Sequence, residues 1–226
     1  MTASPALEEI ALFPIPEMVC FPDTTVPLHV FEPRYRALVR DCVRDERLIA
    51  VCHTVRQISE NKVKQSVSDT LRSNQASFEP QRIFSAGSCT VVETTDDGRL
   101  RVDIKMLDRY QMVEELQSVP YRIAACKKIP DEELKEQQQK RASVLMHETH
   151  NILENILARQ FSEVDEKVDL SAWLELSPAA YSFQLFSMFR FDGDFMQSIL
   201  ETTNPLKRLQ RISHLFAEDP NPNNSN

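Results

Sequence analysis

The chain has 226 residues, 42% of them apolar, and a formal net charge of −8 at neutral pH. Length and apolar content suffice for one large or two small globular domains, while acid outnumbers base in both halves, so the cationic footprint needed to hold nucleic acid or an anionic membrane surface is missing. No apolar run approaches the roughly 18 to 20 residues that span a bilayer, and no charged-then-apolar leader opens the chain, so a cytoplasmic location is expected.

Five prolines punctuate the stretch from Leu12 to Val39. Proline fixes φ and lacks an amide donor, so Pro14, Pro16, Pro22 and Pro27 suit sheet edges, bulges or turns, and the segment predicts an edge strand leading into a helix. Val19 to Phe21 and Val26 to Phe31 supply the β-branched and aromatic residues. Pro33 fits the first turn of that helix, whose buried stripe is Tyr35, Leu38, Val39 and Cys42. Leu48 to His53 reads as a buried strand, and the polar stretch 56–80 as a long mobile loop. Ser85 to Thr94 and Leu100 to Ile104 predict strands joined by a hairpin at Asp97-Gly98. Tyr110 to Leu116 and Tyr121 to Lys127 continue the sheet.

From Asp131 the apolar period becomes helical. Leu134, Leu145, Thr149, Ile152, Ile156 and Leu157 stripe a helix about 30 residues long. Ser177-Pro178 and Asn204-Pro205 read as caps with a following first-turn proline. Ala179 to Phe189 is apolar all round and predicts a buried helix, and Leu206, Leu209, Ile212 and Phe216 stripe the last one. Residues 219–226 are expected to be a disordered tail.

The motifs Leu12-Phe13-Pro14-Ile15, Phe21-Pro22 and Pro27-Leu28-His29-Val30-Phe31-Glu32-Pro33-Arg34-Tyr35 resemble the opening of free-standing bacterial members of the Lon protease N-terminal (substrate-binding) domain family. Gly87 at the start of its strand, Arg109-Tyr110, Gln197 to Glu201 and Arg208-Leu209 extend the resemblance along nearly the whole chain. Asp23 and Met106 stand where the family commonly has glycine. The resemblance implies an α+β fold: a PUA-like β pseudobarrel with one helix over residues 1–130, then an α-helical bundle over 131–218. It also implies a polypeptide-recognition module that binds unfolded or exposed hydrophobic segments, as an adaptor or modulator of a Lon-type protease.

Residues that could carry chemistry are sparse. The string His147-Glu148-Thr149-His150 lacks the i, i+4 histidine spacing of a zinc helix and reads as helix surface. The three glycines form no phosphate-cradling loop, and no serine sits in a nucleophile elbow. No enzyme activity, metal or cofactor is therefore expected. Five scattered cysteines without a Cys-x-x-Cys pair read as buried thiols. His29 is expected to be a half-buried strand residue bonded to backbone, beside an ion-pair cluster of Glu32, Arg34 and Arg36. Candidate peptide-binding residues are Arg109 and Tyr110 as a rim, with Met188, Phe191, Phe195 and Met196 as an adaptable apolar patch. The alternative is a small-molecule-sensing pocket between barrel and bundle.

Overall fold

The computed structural model describes residues 6–59, 77–160 and 170–218; the expected tail at 219–226 lies outside them. The chain divides into two compact units, with the boundary between Ile129 and Pro130.

The first unit contains β1 (Glu8–Pro14), β2 (Thr25–Val30), α1 (Pro33–Asp45), β3 (Ile49–Cys52), β4 (Thr54–Ser59), β5 (Ser77–Pro80), β6 (Ile83–Thr94), β7 (Leu100–Gln117) and β8 (Arg122–Lys128). Six strands run in the order β2-β7-β6-β3-β1-β8, and β8 also pairs with β7. The sheet thus closes on itself as a small barrel, with β2 outside the closed ring. The 18-residue β7 makes this possible, because its first half pairs with β2 and its second half with β8. Register shifts between β6 and β7 and between β7 and β8 supply the coiling that closure needs. One continuous strand replaces the two expected across Leu100 to Leu116.

Three further expectations are corrected here. β1 is an interior strand, parallel to β3 and antiparallel to β8, so Pro14 does not guard an edge and Pro16 lies in the turn beyond it; the edge strand leading into a helix is β2, which carries Pro27 and runs on to α1. Pro14 is tolerated because it ends the strand, and the next amide, Ile15, donates to the Cys52 carbonyl instead (2.9 Å). Val19 to Phe21 is not a strand. The ends of the expected loop 56–80 are ordered, since β4 and β5 pair as a separate two-stranded ribbon; positions 60–76 lie outside the described residues.

Burial explains the sequence pattern. The last five residues of β1 are buried without alternation, because each face of the strand meets its own core. Ala11 and Phe13 join a cluster with Tyr35, Leu38, Val39, Ile49, Val102 and Ile104, whereas Ile10 and Leu12 join Phe84, Tyr110, Ala124 and Cys126. α1 buries the stripe Tyr35, Leu38, Val39 and Cys42 and carries Pro33 in its first turn. Asp23 adopts the left-handed backbone (φ 63°) that short polar residues visit more readily than most others with a Cβ. Gly98 supplies φ 83° in the hairpin, and the Asp97 carboxylate accepts from Thr95 and Arg99, which lowers its pKa to about 2, chiefly through the Arg99 hydrogen bond.

Cys20, Cys42, Cys52 and Cys126 are buried and Cys89 half-buried, all as free thiols. Burial pushes Cys42 and Cys126 up to about 12 and Cys89 to about 11. Since the thiolate is the nucleophile, native protein at pH 8 should react slowly with an aromatic disulfide reagent. Cys89 should be labelled first, with full modification only in denaturant; rapid labelling of Cys42 or Cys126 would contradict the burial.

The second unit holds α2 (Glu136–Gln160), a 3-10 turn (Ser171–Glu175), α3 (Pro178–Gln184) running into a second 3-10 turn (Leu185–Ser187), α4 (Gly193–Glu201) and α5 (Pro205–Glu218). α2 begins at Glu136 rather than Asp131, so Leu134 precedes it, and Leu145, Thr149, Ile156 and Leu157 lie on its buried side. Ser177 accepts from the Ala180 amide (3.2 Å) and Asn204 from that of Lys207 (3.1 Å), as caps should. The apolar helix expected over Ala179 to Phe189 ends at Gln184, where the chain tightens. Ser182 and Ser187 donate to carbonyls three residues back (2.6 and 2.7 Å), a local competition that favours short-pitch turns. The helix-surface reading of His147 to His150 holds for His147 and Glu148, which are exposed, and is corrected for the other two: Thr149 and His150 are buried, and His150 packs against Tyr181 (Nδ1 to Oη 3.5 Å).

Arg208 anchors this unit. Its guanidinium is fully buried and donates to both Asp131 oxygens (2.6 Å each), to Ser182 Oγ (2.8 Å) and to the carbonyls of Thr202 and Ala179, while lying 4.0 Å above the Phe183 ring.

Candidate functional site

The predicted binding residues do not form one exposed surface. Arg109 and Tyr110, read from the sequence as strand residues with Tyr110 packed and Arg109 stacked or paired, and as a rim in the functional alternative, are each only 3% exposed in the middle of β7. The Tyr110 hydroxyl lies 3.3 Å from the Glu8 carboxylate, and the Arg109 carbonyl accepts from Ile129 (2.8 Å). Strand alternation breaks there because β7 passes from the cluster that holds Ile104 and Met106 to the one that holds Tyr110. In the helical unit Met196 is buried, Phe191 and Phe195 are half-buried, and Met188 alone of the four is exposed. Phe191 meets Phe186, Phe195 and Phe216 edge-on at 5.7 to 6.0 Å, so these rings chiefly hold α4 and α5 in place.

A larger concavity lies in the barrel unit, and the proline-rich opening of the chain builds it. Phe13 and Pro14 from the end of β1, with Ile15 and Pro16 beyond, make one wall. Leu28, His29 and Val30 of β2, with Phe31 and Glu32 following, make the other. Arg34 and Tyr35 of α1 and Gln57 and Phe78 of the β4-β5 ribbon complete it, enclosing about 580 Å³.

Its chemistry is apolar and nearly neutral. Phe13 and Tyr35 stack at 4.0 Å. Burial pushes the Tyr35 hydroxyl up to about 12, so no anion forms there near neutral pH. The Arg34 guanidinium pairs with Glu32 (3.0 Å), donates to Ser77 (2.9 Å) and sits 4.6 Å over the Tyr35 ring. These charges therefore cancel at the groove and brace its floor. Arg36 turns away and donates to the Gly98 carbonyl (3.2 Å). His29, expected half-buried, is exposed, because its position on β2 faces outward.

A second depression of about 290 Å³ lies on the other face of β2, around Pro27, His29, Val92, Arg101 and Asp103. Sequence reasoning missed both hollows. The available signal was Leu28 and Phe31, apolar residues in a run closed by prolines that bar the backbone from covering them. Among the described residues no group of three or more metal-ligating side chains occurs, and no helix is long and apolar enough to cross a membrane.

A closed barrel carrying one edge strand and an apolar groove, followed in the sequence by a helical unit, makes this an α+β protein. More specifically, the family model for the ATP-dependent protease La (LON) substrate-binding domain matches residues 9–218, and the chain belongs to that family. It is 24% identical over 217 residues to Lon protease 1 of Herpetosiphon aurantiacus, covering 95% of this chain and 25% of that protein. The chain thus spans about a quarter of the length of this relative. Two solved structures share the fold. The N-terminal domain of a Mycobacterium avium complex Lon protease aligns with a TM-score of 0.64 at 12% identity, over 94% of this chain and all of that one. A Lon N-terminal domain protein from Xanthomonas campestris aligns with a TM-score of 0.54 at 19% identity, over 90% and 96% of the two chains.

Proposed function

We propose that this chain is a non-catalytic polypeptide-recognition module that binds exposed hydrophobic segments of unfolded proteins and serves as an adaptor or modulator of a Lon-type protease. The observation that carries this reading is the neutral apolar groove of about 580 Å³ formed by the same residues that carry the family motif. An apolar side chain leaving water for such a groove gains roughly 1.5 to 3 kcal/mol, enough for weak binding to clients of varied sequence. Exposed Met188, close in sequence to half-buried Phe191 and Phe195, offers a second, weaker apolar contact on the helical unit. Five cysteines with no disulfide between them suit a reducing compartment and support a cytoplasmic site of action.

The test is fluorescence anisotropy of a labelled, permanently unfolded polypeptide titrated with the protein, with its folded form as control. Saturable binding of the unfolded form alone is expected. Leu28→Ser and Phe31→Ser should each weaken it about tenfold, with little change in thermal melting for Phe31→Ser and a modest loss for Leu28→Ser, whose side chain also packs against the barrel core. Binding that ignores both substitutions, or no binding at high micromolar protein, would refute the groove.

A further inference from the structure

We propose that the groove takes its client as a strand added to β2, and that the preferred client is an extended segment alternating apolar with basic side chains. This rests on the groove being a polypeptide site and specifies how that site reads a chain.

β2 pairs with β7 alone, so one side of it is an open edge among the described residues. Pro27 reveals which groups face that edge. A hydrogen-bonded pair in an antiparallel ladder uses the amides of both residues, and Pro27, opposite Asp103, has none to give. It therefore occupies a non-bonded pair. Alternation then assigns Val26, Leu28 and Val30 to β7, in step with Thr24, whose carbonyl accepts from Met106 (2.8 Å). Thr25, Pro27 and His29 consequently aim their carbonyls outward, and Thr25 and His29 their amides as well. Donors and acceptors alternating at this spacing match another extended backbone. The amide missing at Pro27 keeps the match short and discourages open-ended sheet growth.

The side-chain faces divide as sharply. Along β2 the outward positions Thr25, Pro27 and His29 are exposed, and the intervening ones turn toward the core. A strand added here sends alternate side chains into the apolar groove and the others over the smaller depression beside His29. In that depression Arg101 is held by Glu93 (2.9 Å), while among the described residues no cation lies within ion-pair distance of the Asp103 carboxylate. With a net charge of −8 behind it, this face favours lysine or arginine on the client.

The probe is a fluorescein-labelled octapeptide alternating lysine with phenylalanine or leucine, titrated with the full chain. Saturable binding is expected. N-methylation of one alternate set of peptide amides should weaken it more than tenfold, and methylation of the other set should do nothing. Blocking by the lysine set would mean antiparallel addition, and by the apolar set parallel addition. Exchanging lysine for glutamate should weaken binding about tenfold, and Asp103→Asn should shrink that preference. If both methylated peptides and the glutamate peptide bind like the parent while the unfolded polypeptide still depends on Phe31, strand addition fails and the groove reading stands. If the unfolded polypeptide is indifferent to Phe31 as well, both fail. A concentration-dependent dimer in sedimentation that His29→Pro abolishes would assign the edge to a second copy of this chain and overturn the proposal.

Discussion

Arg208→Met should lower the urea midpoint of the helical unit by roughly 2 M, the equivalent of about 3 to 5 kcal/mol. The size follows from what is stranded. All the donor-bearing nitrogens of the guanidinium are engaged in a site closed to water, holding the Asp131 carboxylate, the Ser182 hydroxyl and two backbone carbonyls. Removing the cation leaves a carboxylate that is three-quarters buried and takes a charged donor from the Thr202 and Ala179 carbonyls, the second of which keeps the Ser182 hydroxyl. Arg208→Lys keeps the charge but has no planar fork, so it should recover only part of the loss. Asp131→Asn should cost less than Arg208→Met, because Asp131 retains some contact with water. The double variant should be more stable than the sum of the two singles predicts, since neither charge then lacks its partner. A midpoint shift under about 0.5 M for Arg208→Met would mean that α3 and α5 hold together without this network.

Much of this architecture was readable from the sequence where a residue type has one physical solution. Pro33 and the stripe from Tyr35 to Cys42 specify α1, Asp97-Gly98 specifies the hairpin, and Ser177 and Asn204 mark helix starts through oxygens that accept from the first turn. The failures share a cause. Pro14 predicts an edge because proline cannot donate, yet a proline at the end of an interior strand costs nothing when the neighbouring amide makes the bond. Arg109 and Met196 enter the candidate site because a cation suits a rim and methionine an adaptable patch, and both are buried. Which faces of β7 and α4 are covered depends on contacts between residues far apart in sequence, on which local pattern is silent. The groove is of this kind. Each wall looks like an ordinary strand end, and the hollow exists only because the ends of β1 and β2, α1 and the β4-β5 ribbon converge.

Gly87→Ala should be the most damaging single methyl group that can be added to the barrel, costing about 3 kcal/mol or more and lowering the melting temperature by on the order of 10 °C. The register between β6 and β7 jumps from Ala86 opposite Asp108 to Gly87 opposite Met106, so Leu107 is an extra residue on β7. That bulge carries the β7 backbone over Gly87. A Cβ there would lie 1.9 Å from the Lys105 carbonyl oxygen and 2.7 Å from the Met106 Cα. Both are main-chain atoms and cannot swing aside as a side chain could. Nor can β6 retreat, since Gly87 is paired with Ile49 of β3 on its other side. The ladder must open, and the disturbance should reach the groove. Met106 accepts from Asp23 (3.1 Å) and donates to Thr24 (2.8 Å), the residues that deliver the chain into β2. Binding of unfolded polypeptide should therefore weaken although Gly87 lines no part of the groove. Gly98→Ala is the control. Its φ of 83° makes any Cβ unfavourable, but the close neighbour is the movable end of Arg36, 2.8 Å away, at a hairpin tip. It should cost about 1 kcal/mol and leave binding intact. If Gly98→Ala proves the costlier of the two by thermal melting, backbone conformation rather than the close approach of β7 limits the barrel, and the explanation given for Gly87 is wrong.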